Sequence, residues 1–339
     1  MANRPTTKDV AAAAGVSVTT VDRAINGRSK VSDDTLQRIA DAAHKVGYHG
    51  HGSLLSRLSK SVPCRRLGVV LVKGKQEFYQ NFAQELETAM RLQPNVRGET
   101  VVRFVSSQSP DDFTAAIEDL TDKVDMIACV AINHPKLDQV IQNATDQGVP
   151  VVTLLNDTAQ NIRKYYLGLN NMRAGRTAAW MLTQTIHTPG KLAVFVGGNR
   201  WHGHDLREAG FRSFIRAEAP EFTVLDTLVN LETRQITYEA TLDLLHRHPD
   251  LAGICVAGGG MEGAIAALRE TRKAGEVRLV VNELTDTTRR ALADGYVQMI
   301  IATPLRELCA ELASIVAGTY HGGAGQHFLE PRVYLPEML

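Results

Sequence analysis

Residues 7–26 read Thr7-Lys8-Asp9-Val10-Ala11-Ala12-Ala13-Ala14-Gly15-Val16-Ser17-Val18-Thr19-Thr20-Val21-Asp22-Arg23-Ala24-Ile25-Asn26. The stretch divides at its glycine. Lys8 to Ala14 favours a helix, because alanine loses the least freedom there. The hydroxyl of Thr6 or Thr7 is suited to accept a bond from a free amide at its start. Gly15 stops the helix, since glycine takes the left-handed conformation without a Cβ clash. Ser17 then caps a second helix, Val18 to Ile25, closed by Asn26-Gly27. Ser32 caps a third, Asp33 to Val46, whose first-turn Asp33 and Asp34 suit the positive end of its dipole. Val10, Ala11, Ala14, Val16, Val21, Ile25, Leu36, Ile39, Ala40 and Ala43 share faces that close into one small core.

Val18, Thr19, Thr20, Asp22 and Arg23 remain outward on the second helix. That is how a recognition helix presents its first turns to a major groove. Charge points the same way. The chain has no net charge, with 37 bases and 37 acids. Residues 1–66 nevertheless hold 11 Lys and Arg against five Asp, for +6, and the remainder carries −6. A basic segment on an acidic body implies a polyanionic partner.

Residues 49–66 read as a connector, with a glycine-containing start and a segment from Ser53 to Ser59 able to coil into one or two helical turns. Beyond it the pattern changes. Leu67 to Val72 is a continuous apolar run, as in a strand buried on both faces. Helix and strand then alternate: a helix near Phe78 to Leu92, a strand Thr100 to Val105, and so on to Val149–Leu155. The alternation restarts with a helix from Ala174, a strand Lys191–Val196, a helix Asp205–Glu218 and a strand Thr223–Leu228, and continues to a helix ending near Val316. Two α/β units in tandem imply parallel sheets and a cleft, with ligands outside the carboxyl ends of the strands.

Composition excludes little else. Hydrophobic residues make up 44% and charged residues 22%, ordinary for a globular chain. No apolar run is long enough to span a bilayer and no secretory signal opens the chain, so a cytoplasmic location is expected. Cys64, Cys129, Cys255 and Cys309 lack paired spacing and are expected as reduced thiols. No GxSxG, phosphate loop or HExxH is present, so no catalytic residues are expected. His202-x-His204 lacks a third ligand, so no metal or cofactor is expected.

The motif Thr7-Lys8-Asp9-Val10-Ala11-x-x-Ala14-Gly15-Val16-Ser17-x-x-Thr20-Val21-x-Arg23-x-x-Asn26, with Val31-Ser32 and Gly47-Tyr48 after it, resembles the headpiece of the lactose-repressor (LacI/GalR) family. The rest resembles that family's effector core, which is similar to periplasmic sugar-binding proteins. The resemblance implies an all-α helix-turn-helix headpiece (1–48), a hinge (49–66) and an α/β periplasmic-binding-protein-like core (67–339) of two parallel-sheet subdomains. The N-subdomain is expected at about 67–168 and 302–330, and the C-subdomain at about 169–301 and 331–339. By position, Val18, Thr19 and Arg23 match residues that reach base edges. Thr6, Ser17, Thr20, Asn26 and Ser32 match residues that hold phosphates. Leu58, or else Leu55, matches the leucine that wedges into the minor groove. The connector departs from the family pattern at Gly50, His51 and Gly52.

For the effector, the resemblance and the strand ends together nominate Gln76, Phe78, Tyr79, Asp157, Arg207, Gly260, Glu283 and Thr303. Arg207-Glu208-Ala209-Gly210-Phe211 is similar to the family's Arg-x-x-Gly-aromatic element. Gly258-Gly259-Gly260 and Thr303 stand where many relatives carry larger polar residues, which leaves room for a larger or phosphorylated ligand. The expected partners are a pseudo-palindromic double-stranded operator, a sugar, polyol or sugar phosphate, and a second copy of the chain in a homodimer or a tetramer. A repressor is the expected outcome.

Overall fold

The computed structural model describes residues 5–26, 31–50, 54 and 62–339, apart from the Asp33 side chain. Leu55 and Leu58 lie outside the described residues. The chain separates into two compact units, residues 1–65 with 93–98, and residues 66–92 with 99–339.

Among its described residues the first unit holds helices α1 (Thr7–Ala14), α2 (Val18–Asn26) and α3 (Asp33–Lys45). The turn between α1 and α2 has the chemistry its sequence requires. Gly15 sits at φ 65°, and the Gly15 and Val16 amides bond back to Ala12 O and Ala11 O. Arg38 of α3 reaches the Ala14 carbonyl at 2.7 Å, occupying another end-of-helix acceptor. Val10, Ala14, Val21, Ile39, Ala40 and Ala43 form the core, and Leu54 is buried with them. Val16 and Ile25 lie at its edge, half-buried.

The second unit has two lobes. The first lobe's sheet has the order β12 (Gly325–Leu329), β5 (Tyr165–Leu169), β4 (Val151–Leu154), β3 (Met126–Cys129), β1 (Cys64–Val72), β2 (Arg97–Val105). From β12 to β1 the pairings are parallel. Helices α4 (Glu77–Arg91), α5 (Pro110–Thr121) and α6 (Pro135–Asp146) follow β1, β2 and β3.

The second lobe begins at α7 (Asn171–Thr185) and continues through β6 (Lys191–Val196), α8 (His202–Glu218), β7 (Thr223–Val224), β8 (Leu228–Val229) and α9 (Arg234–Arg247). It is completed by β9 (Leu251–Val256), α10 (Met261–Thr271), β10 (Arg278–Asn282), α11 (Asp286–Ala293), β11 (Met299–Ala302) and, at its antiparallel edge, β13 (Arg332–Tyr334). Its sheet order is β13-β11-β10-β9-β6-β7, and β8 also pairs with β6. The chain crosses between lobes three times: before α7, between β11 and α12 (Leu305–Ala317), and between β12 and β13. Leu308, Cys309, Leu312 and Ala313 return α12 to the core of the first lobe.

Three differences from the sequence expectations matter. The single strand Thr223–Leu228 is two short strands: β7 pairs with Lys191 and Leu192 and β8 with Phe195 and Val196, one residue out of register with each other along β6. Tyr165–Leu169 and the two C-terminal strands were not anticipated. Helix α8 starts at His202, not Asp205, so residues read as loop form its first turn. That places His204 and Arg207 three apart on one face. Cys129 and Cys255 are buried in the core, and burial pushes each thiol up to about 12.

Candidate DNA-contacting face and ligand cleft

In the headpiece, Val18, Thr19, Arg23 and Asn26 are exposed along α2, and Thr20 is half-buried. Val18, at 42% exposure, is an apolar group with no core to fill, as contact with a thymine methyl would need. The hydroxyls are already engaged locally. Ser17 Oγ accepts the Thr20 amide at 3.1 Å and lies 2.8 Å from Thr20 Oγ1. Thr6 donates both its amide and its hydroxyl to Asp9, at 2.7 and 2.8 Å, and those bonds hold the Asp9 carboxyl below its usual value. Ser32 Oγ donates to Thr35 at 2.8 Å. Asn26 bonds Asp22 on the same face at 2.7 Å. Ser17 is a helix cap, and Thr6 closes its helix start through Asp9. All of these residues remain at the surface, where phosphate contact is compatible with capping.

In the second unit, a cavity of about 690 Å3, counting the part open to solvent, lies between the lobes. Residues just past strand ends furnish its walls: Lys73 after β1, Leu155 after β4, and Glu283 after β10. These three, and Glu232, have φ between 53° and 66°. A left-handed conformation costs a non-glycine residue roughly 1–2 kcal/mol, and such strain gathers at functional sites. Here the tight turn aims each side chain back across the sheet end.

Of the residues nominated from sequence, Gln76, Phe78, Tyr79, Arg207, Glu283 and Thr303 line this cavity. Phe78 and Tyr79 meet edge to face, with ring centroids 5.1 Å apart. The Arg207 fork is pre-set by Asn171 Oδ1 at 2.8 Å and Ala257 O at 2.6 Å. Glu283 accepts the Thr303 amide at 3.0 Å and its hydroxyl at 2.7 Å. Burial raises the Glu283 carboxyl, against the pull of those two bonds and of Arg207.

Two nominations are corrected. Asp157 does not line the cavity. It is buried in an ion pair with Arg163, whose Nη2 lies 2.9 Å from Oδ2, and it also accepts from Gln326 at 2.8 Å. Gly260 also lies outside the lining. It starts α10 at φ 93°, and a Cβ there would strike Thr237 and Asn230. Gly258 and Gly259 line the cavity in its place, but not as free room for a ligand. A Cβ on Gly258 would sit 2.4 Å from the His204 ring, and one on Gly259 would sit 3.1 Å from Lys73 Nζ.

Lys73, Asn156, Trp201, His204 and Asn282, which lie at or past strand ends, also line the cavity, and with them Glu232, which sequence reasoning missed. Burial would raise the Glu232 carboxyl, but the Lys73 ammonium outweighs it and holds the carboxyl below its usual value. His204 is pushed down to about 4, chiefly by burial. Its Nδ1 accepts the Gly197 amide at 3.1 Å, as a neutral imidazole can. Asn282 donates to Val256 O at 2.7 Å, while its Oδ1, buried at the cavity wall, has no partner among the described residues. Among the described residues no group of three or more His, Cys, Asp or Glu is placed to hold a metal ion, and no helix is long and apolar enough to cross a membrane.

The model for bacterial regulatory proteins of the lacI family matches residues 6–50, and that for the periplasmic binding protein domain matches residues 67–318. Over most of its length the chain belongs to the periplasmic binding protein domain family, and at its N-terminal end it carries the DNA-binding domain of the lacI family of bacterial regulatory proteins. It is a DNA-binding transcriptional regulator with a periplasmic-binding-protein-like core. It is similar to the sucrose operon repressor of Pediococcus pentosaceus, at 24% identity over 86% of this chain and 89% of that one. It is also similar to the regulator CelR of Thermobifida fusca, at 26% identity over 80% and 78%. The core shares its fold with an ABC transporter solute-binding protein from Agrobacterium vitis bound with alpha-D-tagatopyranose, at a TM-score of 0.73 and 20% identity over 80% of this chain and 95% of that one.

Proposed function

We propose that this lacI-family regulator is a repressor whose operator affinity is set by a small hydroxyl-rich effector, a sugar, polyol or sugar phosphate, held in the cleft of the core. The observation that carries the reading is Asn282 Oδ1, a buried acceptor at the cavity wall without a partner among the described residues. Leaving such a group unpaired costs about 1–3 kcal/mol, and a ligand hydroxyl relieves it. Around it stand a donor fork (Arg207), an acceptor (Glu283) and the apolar faces of Phe78 and Tyr79, the mixture that reads the edge and the C–H face of a sugar ring. The sucrose operon repressor among its relatives supports that class. On DNA, two copies of the chain place two α2 helices on a pseudo-palindromic site with half-sites about one helical turn apart. Residues 1–48 read the bases, 49–66 act as the hinge, and residues 67–339 bind the effector and the second copy. The effector shifts operator affinity only by its different affinity for the two states of the core.

A thermal-shift titration against sugars, polyols and sugar phosphates tests this. At a hundredfold excess over Kd a true effector adds about 2.7 kcal/mol of stability. The shift is expected to vanish in Arg207→Ala, and the same compound is expected to change the footprint on operator DNA. If no compound shifts the melt, or if the hit binds Arg207→Ala as tightly as the parent, the carbohydrate reading is wrong.

A further inference from the structure

At one end of the cleft the lobes meet through side chains whose bonds are already made. Glu232, 7% exposed, comes from the loop between β8 and α9. Its Oε2 lies 2.8 Å from Lys73 Nζ and 3.4 Å from Gln108 Nε2. Its Oε1 accepts the Gly259 amide at 3.2 Å and faces His204 Nε2 at 3.7 Å. Gln108 Oε1 in turn accepts the Trp201 indole N–H at 3.2 Å. Lys73 and Gln108 belong to the first lobe, and Trp201, His204, Glu232 and Gly259 to the second. The chain Trp201–Gln108–Glu232–Lys73 therefore crosses the cleft three times.

Trp201 crosses it bodily. Although it precedes α8 of the second lobe, its side chain is packed with the core of the first lobe and is 4% exposed. Beside it, the Gly203 amide donates to Asn156 Oδ1 at 2.9 Å and the Asn133 amide to Arg200 O at 2.8 Å, both from lobe to lobe. The backbone makes room for the cluster. A Cβ on Gly197 would lie 2.5 Å from Glu232 Cγ, and one on Gly258 would lie 2.4 Å from His204 Cε1.

Both Glu232 oxygens accept from the protein, Oε2 from Lys73 and Gln108 and Oε1 from the Gly259 amide, so its part in this site is to join lobes. The buried Glu232 carboxylate and the half-buried Lys73 ammonium tolerate loss of water only while each has the other. If the lobes part, Lys73 and Glu232 separate and Trp201 leaves its apolar socket. We propose that Glu232, with Lys73, Gln108 and Trp201, forms a latch across the cleft, and that Glu232 is a positioning residue setting how much of the closure an effector must itself drive. The proposal rests on the carbohydrate reading only for what fills the cavity; the latch stands or falls without it.

The full-length protein tests the latch with no effector or DNA present. Trp180→Phe leaves Trp201 as the single indole, since the chain has two tryptophans. Acrylamide quenching of that indole is expected to be slow in this parent and several-fold faster once Glu232→Ala is added. Exchanging the charges, Lys73→Glu with Glu232→Lys, is expected to slow quenching again towards the parent. Far-UV circular dichroism confirms folding of each variant, and Gln108→Ala, which removes only the Trp201 and Glu232 bonds, decides the matter if Glu232→Ala fails to fold. Quenching that stays at the parent's rate in the folded variants overturns the latch. So does quenching in the charge exchange as fast as in Glu232→Ala. A failed carbohydrate screen with slow parental quenching and fast variant quenching would remove the sugar reading and leave the latch in place.

Discussion

Asp157 offers the sharpest separation between a residue that builds the fold and one that reads the ligand. Its carboxylate and the Arg163 guanidinium are each 5% exposed, and both guanidinium contacts go to this one carboxylate. Asp157→Asn keeps the shape and leaves the Arg163 charge buried without its counter-charge. Breaking a buried pair from one side costs about 3–5 kcal/mol, which lowers the Tm of a unit this size by about 10 °C. Arg163→Met should cost less, because Asp157 retains donors from Thr153 at 3.3 Å and Gln326 at 2.8 Å. Asp157→Leu with Arg163→Met removes both charges. It should recover all but about 2 kcal/mol, the remainder coming from the orphaned Thr153 and Gln326 donors. Urea unfolding followed by far-UV circular dichroism measures each variant and Asp157→Leu alone, and the thermodynamic cycle of Asp157→Leu with Arg163→Met gives the coupling. The reasoning fails if Asp157→Asn melts within about 2 °C of the parent. It fails equally if the double variant is worse than the two single costs added together.

Other outcomes follow from the same geometry. Arg23→Ala should cost about 1–3 kcal/mol of operator affinity and relax discrimination at one base pair; an unchanged binding preference in a randomised-site selection removes Arg23 from base reading. His204 is held at about 4 against 6.5 in an unfolded chain. A depressed value means its contribution is present above pH 6.5 and is lost as pH falls towards 4, at most about 3 kcal/mol. Glu283, raised by burial, pulls the opposite way, so the measurement is the difference between the parent and His204→Asn across that window; parallel profiles count against a buried neutral imidazole. Gly258→Ala drives a methyl group to 2.4 Å from the His204 ring and should destabilise the core by about 1–3 kcal/mol. A melt equal to the parent's would show that the ring moves aside freely.

The parts of this molecule that were legible in its sequence are those whose structure is settled within a few residues. Thr6, Gly15, Ser17 and Ser32 mark the headpiece's helix boundaries by local capping and turn chemistry, so no distant contact was needed to find them. Leu67 to Val72 announces a doubly covered strand by itself. Tyr165–Leu169 and Gly325–Leu329 do not. Each becomes a strand by pairing with a neighbour, and β12 shows alternate exposure along residues whose composition suggests a loop. The same distinction runs through the site. Gln76, Phe78, Tyr79, Arg207, Glu283 and Thr303 were reachable from strand ends and a family resemblance. Asp157 also follows a strand, but Arg163 and Gln326 turn it away from the cleft, and that choice depends on a crossover strand some 170 residues distant. Glu232 was missed because the strand before it is broken. Had Leu228-Val229 been read as a strand of its own, the strand-end rule would have sent Asn230-Leu231-Glu232 to the cleft. Sequence reasoning therefore located the groups that face the ligand better than those that face the other lobe. Facing the other lobe is a property of two segments at once, and neither Lys73 nor Glu232 carries it alone.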